Sequence, residues 1–224
     1  MSAERTYMAT SLQPDIYRTF AESEQANVLT RIYQETINIA IWERRLPETI
    51  LRDLQVALNQ GWTLNLRRQL QTQHIATDLA IMVGDFEQIP GFIYHIEELV
   101  EMFACLFDTP LVGLRLTTLD RAMCPRFHVD RVPCRLVSTL VGRGTEWLPH
   151  HLVDRSKLGP GSNGLKDEQS GLFPDPFSIQ QLNCGDVALL KGELWEGNEG
   201  AGLVHRSPQV AAGETRLMLS LDLL

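Results

Sequence analysis

The 224-residue sequence has no apolar run approaching the ~20 residues a membrane-spanning helix needs. Met1 to Asp15 lacks the basic-then-apolar pattern of a secretory signal, so the chain is expected in the cytoplasm. Its four cysteines, Cys105, Cys124, Cys134 and Cys184, are widely spaced, with no Cys-x-x-Cys pair. A zinc ribbon and a thioredoxin-type motif are therefore excluded, and reduced thiols acting as small apolar side chains are expected. No Gly-x-Ser-x-Gly elbow occurs, and no phosphate-cradling loop ending in Gly-Lys-Ser/Thr. The stretch Gly159-Pro160-Gly161-Ser162-Asn163-Gly164 lacks both the preceding strand and the following helix that phosphate binding requires. An excess of basic charge is missing too: 20 Lys and Arg face 28 Asp and Glu, for a net charge of −8. Nucleic acid is not the expected partner on that balance, nor is a membrane.

What is present is ordinary for a globular protein, 44% hydrophobic and 21% charged. The length suits a single domain over residues 1–224. The part up to residue 110 reads as mostly helical with one or two strands. Residues 23–35 carry helical spacing, and Ile37 to Trp42 reads as a short strand. Pro47 opens a helix through Leu58 that Gly61 ends. A second helix, Gly91 to Asp108, places Phe92, Ile96, Leu99, Val100, Phe103 and Phe107 on one side, with His95, Glu97, Glu98 and Glu101 expected on or beside the wet face. From Leu111 the texture changes to short β-rich runs bounded by Gly, Pro or Asp. These are 111–119, 126–130, 135–141, 145–148, 179–182, 187–191, 203–207 and 215–223. Such spacing suggests a sandwich or barrel. Between them lies a long loop, 150–176, a candidate lid.

One strand carries the chemistry. In Phe127-His128-Val129-Asp130, strand alternation puts His128 and Asp130 on one face, about 7 Å apart. A second strand brings His205, and Arg216 opens the last apolar run. Two histidines and a carboxylate on one face of a metal leave coordination positions open, the arrangement of non-haem Fe(II) oxygenases. Six arginines (115, 121, 126, 131, 135, 143) accumulate against two acids, Asp120 and Asp130. Guanidinium groups suit carboxylates and phosphates, so Arg126, Arg131 and Arg143 are candidates for favouring an anionic substrate.

The order His128-x-Asp130, Gly142-Arg143-Gly144-Thr145-Glu146-Trp147, Gly185-Asp186-Val187-Ala188-Leu189-Leu190, His205 and Arg216 resembles the 2-oxoglutarate-dependent dioxygenases over residues 111–224. The whole chain also resembles an uncharacterised bacterial family of unknown function, with Cys124 to Asp130 its most recognisable stretch. The first resemblance implies an α+β, mainly β fold: a double-stranded β-helix, jelly-roll or cupin-like, with N-terminal helices packed on the larger sheet. It implies that His128, Asp130 and His205 bind Fe(II) and act in catalysis, and that Arg216 clamps 2-oxoglutarate. Some members carry a serine two residues after that arginine. Here the position is Met218, and Ser220, sharing the face of Arg216, is the remaining cosubstrate candidate.

Other readings stand beside these. His128 and Asp130 could be a structural hydrogen-bonded pair, and Arg216 could pair with Asp222. Arg206, on the opposite face from its neighbour His205, is the weaker clamp. Cys124 near the site would favour Zn(II), which the same residues could hold in a metal-homeostasis or regulatory protein without turnover. His150 and His151 could touch substrate or metal or be plain surface, and Trp147 and Trp195 could line a pocket or simply pack. The substrate, small molecule or protein, and the oligomeric state are left open.

Overall fold

The computed structural model describes residues 17–80, 89 and 91–224; the segment read for targeting lies outside them. The chain is mixed α/β and mainly β. Its elements are β1 (Thr19–Ser23), β2 (Ile37–Trp42), α1 (Glu48–Asn59), β3 (Asn65–Gln71), α2 (Ile75–Ala80), α3 (Phe92–Phe107), β4 (Leu111–Leu119), β5 (Cys134–Val141), β6 (Glu146–Leu148), α4 (Asp167–Ser170), β7 (Gln180–Gln181), β8 (Val187–Lys191), β9 (Val204–Arg206) and β10 (Arg216–Leu223). Seven strands form one large sheet in the order β1-β2-β8-β5-β10-β4-β3, and β7-β6-β9 form a small one. All neighbours in both sheets are antiparallel except β1 and β2.

The two faces of the large sheet have opposite chemistry because side chains alternate along each strand. One face presents Leu217, Leu219 and Leu221 from β10, Val112, Leu114 and Leu116 from β4, and Leu136 and Leu140 from β5. They are buried in one apolar cluster with Ile50 and Leu54 of α1 and Phe92, Ile96, Leu99 and Phe103 of α3. At ~1.5–3 kcal/mol per large apolar side chain, this layer dominates the favourable side of folding. On the other face Ile39, Ile41, Val137, Ala188 and Leu190 pack against Trp147 of the small sheet, together with Leu182 and Leu203. Farther along the same face the rows turn polar, with Arg67, Arg115, Ser220, Arg135 and Asp222 at matching register positions.

Several expectations are corrected. The segment up to residue 110 contributes three strands to the large sheet, β1 and β3 beyond the expected β2. β3 escaped the pattern because only Leu66 and Leu70 of its seven residues are buried, a spacing of four rather than two. Residues 26–33 form a 3-10 helix that buries Val28, Leu29 and Ile32. Residues 126–130 are not a strand; His128 alone makes a bridge, to His205, and Pro125 and Pro133 bound the segment. His95 is buried rather than wet, because it shares the stripe of Phe92, Ile96 and Leu99. Burial lowers its imidazole pKa to about 4, the adjacent Arg44 adding to the effect.

Candidate active site

The small sheet and the segment before β5 bring His128, Asp130 and His205 together. His128 and His205 exchange two backbone hydrogen bonds of 3.0 Å, which sets their rings 4.6 Å apart, centroid to centroid. Nε2 of His128 lies 3.7 Å from Oδ1 of Asp130, and Nε2 of His205 lies 3.4 Å from Oδ2. One ligand atom from each residue falls within a 4.8 Å group. Ligand atoms ~2.0–2.2 Å from a common ion sit roughly 3–3.6 Å apart; the His205–Asp130 distance falls inside that span and the His128–Asp130 distance just beyond it.

Each imidazole is oriented by its other nitrogen. Nδ1 of His128 lies 2.9 Å from the Arg126 carbonyl, and Nδ1 of His205 lies 3.2 Å from the Leu203 carbonyl. A carbonyl can only accept, so each Nδ1 carries the proton and each Nε2 presents a lone pair toward Asp130. Burial lowers the His205 pKa to about 4, against the pull of Asp130. The neutral form, the one a cation needs, therefore prevails at neutral pH. Asp130 is held from the facing sheet: Arg135 donates Nη1 to Oδ2 at 2.8 Å and grips Asp222 with Nε and Nη2 at 2.6 and 3.0 Å. Glycine at 192 is required beneath this arrangement, since a Cβ there would collide with the Val132 carbonyl oxygen and lie 2.8 Å from that of Asp130.

Arg216 is 1% exposed. It donates Nε to the Arg143 carbonyl at 2.8 Å and Nη2 to the hydroxyls of Thr139 and Thr145 at 2.9 and 3.0 Å. The turn Gly142–Trp147 thus supplies two of its three acceptors. Its Nη1 is buried without a partner, and no carboxylate pairs with it among the described residues. Burial lowers its pKa to about 10, partly offset by Glu146. The alternative pairing with Asp222 does not occur, because Arg135 takes that carboxylate.

A cavity of about 530 Å³ opens beside these groups, lined in part by His128, His205, Thr145, Met218 and Ser220; Asp130 and Arg216 stand behind its wall rather than on it. The arginines on its wall are Arg67, Arg68, Arg115, Arg135 and Arg206. Arg126, Arg131 and Arg143, favoured from the sequence for an anionic substrate, do not line it. Arg126 pairs with Asp167 and Arg143 with Glu146. Arg206 is spent on Glu146, Asp167 and Glu168, which leaves it no role as a clamp. Cys124 lines the cavity but is not in the metal-competent group. His150 contacts Arg155, and neither His150 nor His151 reaches the cavity wall. Trp147 and Trp195 pack, against Phe20 and Tyr33 respectively. The 150–176 loop is folded into short helical turns. It is stapled to the site by buried Asp167, which accepts from the Phe127 amide at 2.8 Å. Arg135 as the support of Asp130 is not legible in the sequence, since the bend that folds the His-x-Asp segment back over the start of β5 has no local signature.

Among solved structures, the chain is similar to the rice dioxygenase for auxin oxidation, at 12% identity and a TM-score of 0.52, covering 92% of this chain and 83% of that one. It is likewise similar to Arabidopsis thaliana dioxygenase for auxin oxidation 1 in a binary complex with 2-oxoglutarate, at 9% identity and a TM-score of 0.51, covering 92% of both chains. At these identities the likeness is one of fold. No curated protein matches the chain. No helix among the described residues is long and apolar enough to cross a membrane. The family model for proteins of unknown function named DUF1826 matches residues 23–222, and the chain belongs to that family.

Proposed function

We propose that this protein is a non-haem Fe(II)- and 2-oxoglutarate-dependent oxygenase. We read its two sheets as the halves of a double-stranded β-helix, and residues 1–224 as one domain whose N-terminal strands complete the larger sheet. The observation that carries the proposal is Arg216: a buried guanidinium with an unpartnered nitrogen and no carboxylate, bonded to Thr145 on the wall of a cavity that two imidazoles also line. A buried unpaired charge is costly, and an anion resolves it.

His128, Asp130 and His205 would hold the iron. When bound, it supplies oxygen activation coupled to oxidative decarboxylation of 2-oxoglutarate. The rest is done by the chain. The carbonyls of Arg126 and Leu203 fix both imidazole tautomers, and Arg135 turns the Asp130 carboxylate toward the histidines. Arg216 donates Nη1 to the far carboxylate of the cosubstrate, while Thr139 and Thr145 hold the guanidinium still. Ser220 stands four residues further along the strand on the same face and lines the cavity as a second donor.

The same donors accept Zn(II), but a zinc-binding protein without turnover has no use for an anion-ready guanidinium beside the site. The test is spectroscopic. Anaerobic protein with Fe(II) and 2-oxoglutarate should develop a weak visible charge-transfer band. In Arg216→Gln the 2-oxoglutarate needed for half-saturation should rise about 10–100-fold, the worth of a charged hydrogen bond, with metal binding retained. No band in the wild type, or equal 2-oxoglutarate affinity in the variant, refutes the reading.

A further inference from the structure

The cavity holds a second, separate demand for negative charge. On its floor, Arg67 of β3 and Arg115 of β4 are direct cross-strand partners, and Ser220 of β10 continues the row. Like charges placed directly opposite on neighbouring strands repel. Among the described residues, neither arginine has a carboxylate within ion-pair distance, and Nε of Arg115 is buried with no hydrogen-bond partner. Two of the other arginines on the wall differ, Arg135 being neutralised by Asp130 and Asp222 and Arg206 by three acids, while Arg68 donates to the Arg67 carbonyl. Desolvation and the proximity of Arg67 and Arg135 disfavour the charge on Arg115, and the nearby Cys124 and Asp222, the latter already gripped by Arg135, offset only part of this. In a protein with a net charge of −8, two adjacent unneutralised arginines are a local exception.

We infer that the primary substrate is a small organic anion whose carboxylate or phosphate group is bound by Arg67 and Arg115. This rests on the oxygenase reading for what happens to the substrate, but the binding site stands on its own residues. The cavity's size, about 530 Å³, is that of a small-molecule site. His128 and His205 line the same space, so an anion seated on the arginine pair presents the rest of its body to the triad. The cosubstrate does not satisfy this pair, because its far carboxylate belongs to Arg216. Two adjacent guanidinium forks match a planar or tetrahedral oxyanion, and they do not distinguish carboxylate from phosphate.

The test uses the full chain loaded with Mn(II) and saturating 2-oxoglutarate, so that the Arg216 position is filled. Thermal melting is followed against benzoate, phenyl phosphate and neutral benzyl alcohol at constant ionic strength. At least one of the two anions should raise the melting temperature saturably, the preferred one naming the headgroup, and benzyl alcohol should not. In Arg67→Gln and Arg115→Gln the half-saturating anion concentration should rise about 10-fold or more, with the shift caused by 2-oxoglutarate unchanged. Ligand-free Arg115→Gln should melt no lower than the wild type, because it removes a repulsion; a purely structural arginine would give a lower value. If that variant fails to fold, Arg67→Gln on the exposed edge strand carries the test. Absence of any anion effect, an equal effect of the alcohol, or wild-type anion response in both variants overturns the inference. So does loss of the 2-oxoglutarate shift in Arg115→Gln with its retention in Arg216→Gln, which would make the pair the cosubstrate clamp. If the wild type ignores 2-oxoglutarate yet binds the anions through Arg67 and Arg115, the oxygenase reading fails and the anion site remains.

Discussion

Strand β10 has two faces, and they serve different ends. Leu217, Leu219 and Leu221 are fully buried against the helices. Arg216, Met218, Ser220 and Asp222 point the other way, where buried polar groups are held by a few directed bonds and Nη1 of Arg216 has none. The helix side carries polar exceptions of its own, Ser138 Oγ and His95 Nε2, but its energy comes from apolar area. The difference teaches where each kind of substitution should be felt. Changes on the helix side act on folding and leave the site's chemistry alone; changes on the cavity side act on ligands.

The largest effect expected on the cavity side is total. His205→Ala should abolish the Fe(II)-dependent thermal shift and the visible band, because two ligands remain of three, while metal-free stability moves less than for a core deletion. Its counterpart across the sheet is Leu219→Ala. That truncation should cost about 2–5 kcal/mol, read by denaturant unfolding, with metal affinity per folded molecule unchanged. A Leu219→Ala protein that folds but binds Fe(II) weakly would break the division between the faces. Next comes Arg135→Gln, which keeps every ligand atom and removes the group that aims Asp130. Metal affinity should fall about 10–100-fold, the usual cost of losing an outer partner. Competition titration against a chelator measures it, and an unchanged constant would mean that Asp130 is positioned by its backbone alone.

How much of this could be read in the sequence depends on the range of the interaction. The His-x-Asp spacing, His205 and Arg216 were visible because residue type and order carry them. The reasons those residues work were not visible. Asp130 depends on Arg135, five residues on, through the irregular bend between Pro125 and Pro133 that local pattern does not specify, and Arg216 reaches its acceptors at Thr139, Arg143 and Thr145 only because β10 pairs with β5. The arginines of the cavity were misassigned for the same cause: Arg67 lies far from the Arg115–Arg143 cluster in sequence and becomes its neighbour only through β3 pairing with β4. Local pattern did suffice for α1, α3 and most strands after Leu111, where apolar periodicity and burial coincide. His95 shows the opposite error. It sits three residues after Phe92 and one before Ile96, inside the apolar stripe, where position outweighs residue polarity.

That misplacement has a measurable consequence, the smallest of those considered. His95 is buried neutral, with a pKa near 4 instead of the ordinary 6.5. Below pH 6.5 the unfolded chain takes up a proton that the folded chain refuses until the pH approaches 4. Its share of stability is therefore complete above about pH 6.5 and is lost as the pH falls toward 4, the loss reaching about 2 kcal/mol by pH 5. His205 is shifted in the same direction by its own burial on the cavity face. Metal-free protein should thus lose stability between pH 6.5 and 4.5 through one histidine on each side of the sheet. His95→Leu completes the apolar stripe and should remove the helix-side share, flattening the profile without touching metal affinity. His205→Ala should remove the other share together with metal binding. Denaturant midpoints across that range decide it: an unaltered acid slope in His95→Leu would mean that the imidazole is reached by solvent and protonated in the folded state.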